Sequence, residues 1–374
     1  SEDTEGAADA PATTADDAEN EAARASFASA PTKSLHDFGD GSGPQEAIFI
    51  ENDAELAKVG KDPAYPADGN YYLASTMYRP KSDFAPIDAT FTGRFDGCNA
   101  QIELAMDVRF VYGSADGGVS FLSMFRENAG LIENLRITGT VATSNSLEPA
   151  AVMYASALAY RNSGTVRNVK LDCSIGPVGL VGGIACFNES GGVIENCSAD
   201  GDLQGAAIGG IALVSSGRIA SCESHLDLVG QGAGIASTAE DDAVFENCVN
   251  YGNVTGTTAD AAGCFLYFND NARASGCENY GAVANVSTGG NSLTGGVLAH
   301  LDGKGVLENC ENHGTVSGDG SVGGIVGQAA RPIVAVQCLN KAAVKFAGES
   351  PKVRTAVGGI IGNAFAKGDA KWAV

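Results

Sequence analysis

The hydrophobic residues of this chain fall in short runs of two or three, separated by Gly, Asn and Ser, and they follow no long helical period. The clearest run reads Gly-Val-Ile-Glu-Asn-Cys at 192–197. Seven related runs end on an apolar residue at the equivalent place. These final residues form the anchor row, which is Leu135, Val169, Cys197, Cys222, Cys248, Cys277, Cys310 and Cys338. Successive anchors lie 25 to 34 residues apart, a period typical of repeat proteins.

A second landmark precedes most anchors: two small residues and then one apolar residue, as in Gly182-Gly183-Ile184. In five repeats the second small residue lies 14 residues before the anchor. The return segment, from an anchor to the next such residue, varies between 12 and 21 residues. A constant segment beside a variable one predicts a rigid face and a loop that tolerates insertion.

The repeat favours strands over helices. Each unit holds several of the 50 glycines, and Gly costs about 1 kcal/mol per site inside a helix. Ile194 and Cys197 lie three residues apart, so both can face inward only if the chain bends between them. Asn196 lies at that bend and tolerates the left-handed conformation. The same argument predicts corners at 250–252, 279–281 and 312–314.

With three short strands and three corners per turn, the pattern predicts an all-β fold, a parallel β-helix (β-solenoid) of about nine rungs. The usual crossover rule makes it right-handed. We expect three regions: a disordered acidic leader at 1–43, an N-terminal α/β cap segment with the first strands at 44–110, and the β-helix repeats at 111–374. Within the cap, strands are expected at 47–50 and 71–77, and a short helix at 53–59.

Charge excludes some partners. The formal net charge of −22 argues against nucleic acid and against an anionic membrane surface, because both need clustered Lys and Arg. No run of 18 apolar residues is present, so no membrane insertion is expected. The chain begins at Ser1, which fits a mature exported protein after removal of its signal peptide. We therefore expect an extracellular location, secreted or attached to the cell surface.

The cysteines follow the repeat. Six of the ten occupy the anchor row on successive rungs, which predicts an inward structural ladder of free thiols, because buried Cys packs as a small hydrophobe. Cysteines on neighbouring rungs are close enough for a disulfide, but their side chains point in parallel directions, which is a poor geometry for that bond. There is no CxxC motif and no tetrahedral convergence. We expect no metal and no cofactor.

Catalytic motifs are missing from the sequence: HExxH, GxSxG and the P-loop pattern do not occur. Glutamates recur just before the bend, in the row Glu133, Glu195, Glu246 and Glu308, and just after the anchor, in the row Glu223, Glu278 and Glu311. We expect these rows to be solvated outward faces without a basic cluster beside them. Weak Ca²⁺ binding between rows is the alternative.

A second outward row lies three residues after each anchor. It holds Asp200, His225, Tyr251, Tyr280, His313 and Lys341. Tyr251 and Tyr280 are predicted to stack on adjacent rungs, with His225 and His313 on either side. Such a row could receive sugar rings or partner side chains, or it could merely decorate the turns.

The repeat resembles a known family. The segment Gly323-Gly-Ile-Val-Gly327 followed by Cys338, with Asn-Cys-Glu-Asn-His-Gly-Thr-Val-Ser-Gly at 309–318, is similar to the GLUG repeat of bacterial surface proteins. That repeat also occurs in IgA-cleaving metalloproteases, whose HExxH motif this sequence lacks. The resemblance implies a non-catalytic adhesin or rigid spacer that contacts glycans or host surface proteins. The alternatives are a polysaccharide-active enzyme (lyase or glycoside hydrolase) and a passive stalk.

Overall fold

The structure is a computed structural model that describes residues 30–107, 113–114, 120–141, 154–257, 259–287, 291–348 and 356–364. The described chain is nearly all β and winds into a coil whose successive turns pair side by side. The turn from Ala236 to Ala262 shows the plan, with five short strands, two to four residues long, divided by corners. The fold is a parallel β-helix, as predicted, but a full turn has five faces where the pattern suggested three.

We label the faces a to e in chain order. The strands of face a are Ile87–Phe91, Phe125–Asn128, Ala159–Asn162, Ala185–Asn188, Ala212–Ser215, Ala236–Ala239, Phe265–Phe268, Leu298–Leu301, Val326–Ala329 and Ile361–Ala364. Those confined to face b are Arg94–Asp96, Val193–Glu195, Arg218–Ala220, Val244–Glu246, Arg273–Ser275, Val306–Glu308 and Val334–Val336. Those confined to face c are Gln101–Met106, Glu223–Ser224, Val249–Asn250, Glu278–Asn279, Glu311–Asn312 and Leu339–Asn340.

Face d has Leu228–Val229, Val254–Gly256, Val283–Asn285, Val316–Gly318 and Val344–Phe346. Face e has Ser120–Leu122, Tyr154–Ala155, Gln231–Ala233, Ala261–Ala262, Leu293–Gly295, Ser321–Gly323 and Ala356–Gly358, and Gly113–Ser114 pairs antiparallel with the first of these. Three long strands run on around corners: Leu131–Val141 from b to c, Thr165–Gly182 from b to e, and Ser198–Gly209 from c to e. The ten described strands of face a are one more than the nine rungs expected.

The cap extends the same stack. Strand Gln45–Ile50 pairs in parallel with Asn70–Leu73, which pairs with the first strand of face b, and Met77–Tyr78 pairs with the first strand of face c. Between them lies one turn of helix, Asp53–Leu56, whose N-cap is Asn52. The helix ends three residues earlier than expected. The cap is thus built largely from rung-like strands.

The outermost cap strand covers an edge. Strand Lys33–His36 pairs antiparallel with Gln45–Ile50 and so occupies the edge where another chain could add. The sequence predicts a disordered leader up to residue 43, whereas this strand lies within that range. Its short, polar sequence gave no strand signal, because the pairing partner supplies the order. Residues 1–29 of that predicted leader lie outside the described residues.

The corners before the anchors are left-handed, as predicted. Asn196 has φ 53°, and equivalent positive values occur at Asn134, Asn168, Asn247 and Asn309. The predicted corners at 250–252, 279–281 and 312–314 are different. There the asparagine points inward, is fully buried, and closes the turn with its side chain, which donates to the carbonyl two residues on.

Two ladders of asparagines, buried except for the partly exposed Asn340, run along the rod. In the early rungs, Asn128 donates to Asn162 and Asn162 to Asn188, each over 2.8 Å, and Asn188 donates to Ser215 over 3.1 Å, all at the end of face a. In the later rungs the ladder lies at the end of face c. Its members, each 2.8 Å from the next, are Asn250, Asn279, Asn312 and Asn340.

Candidate functional site

The anchor row lies inside the rod. Leu135, Val169 and the cysteines from 197 to 310 are buried, while Cys338 is partly exposed. All six anchor cysteines are free thiols, and each donates to a nearby carbonyl, as Cys222 does to Ala220 over 3.3 Å. Burial raises the pKa of Cys222 and Cys277, so these thiols stay neutral. The row packs the core, and the buried, neutral thiols of Cys222 and Cys277 are not accessible nucleophiles.

The predicted aromatic row forms a continuous stack on the outside of the rod. His225 and Tyr251 have ring centroids 4.8 Å apart and planes 14° from parallel. The next pair, Tyr251 and Tyr280, has values of 5.4 Å and 20°, and Tyr280 and His313 have values of 4.2 Å and 11°. The in-register rungs therefore bring together four rings that the sequence places 26 to 33 residues apart.

The stack determines which parts of the rings a partner can reach. Tyr251 and Tyr280 each have another ring of the row on both sides, and they are still 43% and 44% exposed. A sugar that stacks on an aromatic residue needs an open ring face. The two tyrosines therefore offer a partner mainly ring edges and polar atoms.

Acidic side chains line this stack. The hydroxyl of Tyr280 donates to Glu278 over 2.6 Å, which raises the pKa of Tyr280 to about 12. His225 Nε2 lies 3.4 Å from Glu223. The polar edge of the row is therefore organised by side chains two residues earlier on the same strands.

Three side chains that the sequence places in two separate rows meet at one point of the surface. Glu278, Glu311 and His313 each offer a ligand atom, and these atoms all lie within 4.8 Å of one another. His313 Nε2 is 3.0 Å from Glu311 and 3.6 Å from Glu278. Lys341 Nζ lies 2.5 Å from Glu311, and hydrogen bonding to this ammonium lowers the pKa of that carboxyl. The acidic and aromatic rows were each visible in sequence, but their meeting depends on the strand register.

The glutamates before the bend are not a plain solvated row, contrary to expectation. Glu133 is buried and lies 2.5 Å from Arg94 and 2.7 Å from Arg167. Arg218 joins Glu195 at 3.2 Å and Glu246 at 2.7 Å, one rung to either side. The arginines lie on neighbouring rungs, far from the glutamates in sequence, so a scan of each repeat did not find them.

An open groove of about 390 Å³ lies between strand Ser198–Gly209 and the start of face d. Its lining includes Asp202, Gln204, Asp227 and Val229. Asp227 already accepts two hydrogen bonds from Asn253. The loops that the sequence analysis left open as places for a further site, 141–150, 284–294 and 345–357, lie partly outside the described residues. Within the described ranges, no helix is long and apolar enough to cross a membrane.

Comparison with known proteins agrees with the repeat. The family model described as the GLUG motif matches residues 178–204. That segment is about one turn of the coil, from the end of strand Thr165–Gly182 to the start of Ser198–Gly209, earlier than the 309–338 region that carried the resemblance. A search of the curated proteins found no match.

Among solved structures, the chain is similar to the crystal structure of a "putative immunoglobulin A1 protease" from Bacteroides ovatus. The sequence identity is 17% and the TM-score is 0.38, over 86% of this chain and 84% of that one. The match of the family model at 178–204 confirms the predicted resemblance for the GLUG motif itself.

Proposed function

We propose that this chain is a non-catalytic bacterial surface or secreted module, a rigid rod that contacts host proteins or glycans through its lateral face. The observation that carries the proposal is the continuous stack of His225, Tyr251, Tyr280 and His313 on four adjacent rungs. Large aromatic side chains held in one fixed arrangement contribute binding area at low entropic cost. The rungs set their spacing, so the rod itself preorganises the contact surface.

The chemistry of the row favours a hydrogen-bonding or cationic partner. Ring edges carry the positive end of the aromatic quadrupole and suit carbonyl or carboxylate oxygens. Glu223, Glu278 and Glu311 suit amine or hydroxyl donors. Polypeptide backbone with basic side chains, or the hydroxyl-rich edge of a glycan, would satisfy both sets. On face b, the pairing of Glu133, Glu195 and Glu246 with arginines supports a structural use for those carboxylates.

The test is retention of the protein on immobilised mucins, plant polysaccharides and matrix proteins, with released sugars and cleaved protein scored in the same wells. We expect retention without products and its loss in the double variant Tyr251→Ala, Tyr280→Ala. Thr238→Ala on face a is the matched control and should bind like the unaltered chain. Released products would overturn the proposal in favour of an enzyme. Equal retention of the double variant, or no retention at all, would also contradict it.

A further inference from the structure

Glu278, Glu311 and His313 lie together at the later end of the aromatic stack. What they can bind does not depend on the proposed function. In the strand Glu311–Asn312 the side chain of Asn312 points into the core, so its neighbours Glu311 and His313 both point outward. Glu278 lies directly opposite Glu311 in the parallel pairing. Three residues from two adjacent rungs therefore present two carboxylates and one imidazole at the same point on the surface.

The charges of this group are only partly balanced. Like charges directly opposite each other on neighbouring strands repel. Lys341, on the next rung, lies 2.5 Å from Glu311 and compensates that carboxylate alone. Glu278 receives the Tyr280 hydroxyl, a neutral donor. A further positive charge between Glu278 and Glu311 would remove the repulsion.

The imidazole is held in place with a nitrogen available. Tyr280 stacks on the His313 ring at 4.2 Å and fixes its plane. Nε2 of His313 is enclosed and lies 3.0 Å from a carboxylate oxygen of Glu311 and 3.6 Å from one of Glu278. A neutral imidazole carries its proton on one ring nitrogen and a lone pair on the other. In the tautomer protonated on Nδ1, the Nε2 lone pair is directed at the place where both carboxylates meet and can act as a metal ligand.

We propose that Glu278, Glu311 and His313 bind a divalent transition-metal ion of the Zn²⁺ type. Zn²⁺ takes imidazole nitrogen and carboxylate oxygen at about 2.0–2.2 Å. Ligand atoms within 4.8 Å of one another reach such distances through small side-chain rotations. The imidazole favours this class of ion over Ca²⁺ and Mg²⁺, which prefer oxygen ligands. The Tyr280 hydroxyl orients Glu278, as hydrogen-bonding partners of metal ligands usually do.

The chain supplies a matched control at the other end of the same stack. His225 also stacks on a tyrosine and lies 3.4 Å from a glutamate, Glu223. The positions equivalent to Glu223 on the adjacent rungs are Ser198 and Val249, so no second carboxylate faces it. His225 therefore has the ring environment of His313 without the set of three ligands.

The experiment is calorimetric titration of the chelator-stripped full chain with Zn²⁺, repeated with Co²⁺ as a spectroscopic probe of the imidazole ligand. We expect one saturable site that His313→Gln weakens by about tenfold or more, while His225→Gln changes the affinity less than about twofold. Lys341→Met should tighten binding, because it removes the cation that competes for Glu311. Circular dichroism of each variant establishes that the coil is intact.

Several results would overturn the assignment. Zn²⁺ affinity unchanged in His313→Gln would show that the histidine is not a ligand. Equal saturable binding of Ca²⁺ and Zn²⁺ would point to nonspecific attraction by acidic groups. Weaker binding in Lys341→Met would mean that the lysine supports the site instead of competing with the ion.

Discussion

The early and late rungs of the rod have the same coil but locate their polar ladder at different corners. Up to Ser215, buried asparagines follow face a, beginning with Asn128. From Asn250 onward they follow face c, and the ends of face a are filled by Ala239, Phe268 and Leu301 instead. One backbone plan therefore accepts an internal hydrogen-bond ladder at either corner.

Glycines lie next to both ladders. A Cβ on Gly192 would lie 2.4 Å from the side chain of Asn188 in the early ladder, and a Cβ on Gly263 would lie 2.3 Å from that of Asn279 in the late ladder. The rungs after Ser215 place Ala243, Ala272 and Gly305 in the position of Gly192, so this position is not always glycine once the ladder has left face a. At Gly192 and Gly263 the missing Cβ leaves room for an asparagine side chain that crosses close to the backbone.

The first prediction compares ion pairs from the two regions. Arg94, with 8% of its side chain exposed, bridges Asp40 and Glu133 near the cap, whereas the side chain of Arg218 is 42% exposed between two glutamates. Removing one partner of a buried pair leaves an uncompensated charge. Arg94→Met should lower the free energy of unfolding by about 3 kcal/mol, and Arg218→Met by less than about 1 kcal/mol. Urea unfolding measures both, and equal losses would contradict the distinction.

The second prediction tests whether the two ladders are equivalent. Asn279→Ala leaves the oxygen of Asn312 without its donor and removes the acceptor of Asn250. A buried polar group left unpaired costs about 1–3 kcal/mol, so we expect a loss of about 2–3 kcal/mol. Asn162→Ala in the early ladder should cost about the same. A loss below about 1 kcal/mol in either variant would show that its ladder contributes little.

The third prediction concerns the glycine that accompanies the late ladder. In Gly263→Ala the new Cβ would lie 2.2 Å from the carbonyl oxygen of Gly296, and backbone must move to relieve this contact. We expect a loss of about 1–2 kcal/mol in thermal or urea unfolding. Gly191→Ala is the control, because its nearest neighbour is 3.5 Å away. Similar stability of the two variants would refute the steric requirement.

The smallest expected effect is on the pKa of the surface residue Tyr280. The carboxylate of Glu278 accepts from Tyr280 and raises the pKa of that phenol to about 12. The raised pKa stabilises the fold fully below the ordinary value of 10.0, and this contribution is lost as pH rises towards 12. Glu278→Gln should move the phenolate transition to lower pH, as followed by tyrosinate absorbance. Glu223→Gln should leave that transition in place, and a shift there would contradict the assignment.

Sequence predicted the parts of this fold that depend on neighbouring residues. The left-handed bend at Asn196 and the inward direction of Cys197 follow from a three-residue spacing, and the in-register stack of Tyr251 on Tyr280 follows from the repeat. Five faces could not be foreseen, because most strands of faces c and d are only two or three residues long, too short to show an alternation of buried and exposed residues. Hydrogen bonds to the adjacent turn determine where these short strands begin and end.

The missed features depend on contacts between rungs. Arg94 is 54 residues from Asp40, and Glu278 meets Glu311 only through strand register. The orientation of the rings is a third example. A repeat shows that Tyr251 and Tyr280 are neighbours, but only the coordinates show that they cover each other's faces. Interactions between side chains of neighbouring turns are therefore the features that the sequence of single repeats does not predict.

The late asparagine ladder has a consequence for how such a chain can change its length during evolution. Deleting residues 278–310 would join Cys277 to Glu311 and place Asn312 where Asn279 had been, ready to accept from Asn250. Every rung would still meet an equivalent partner, and the rod would shorten by about 4.8 Å, the spacing between neighbouring strands. Recombination between repeats can therefore adjust the reach of the molecule in fixed steps, whereas a deletion within a rung would shift the register and turn core residues outward.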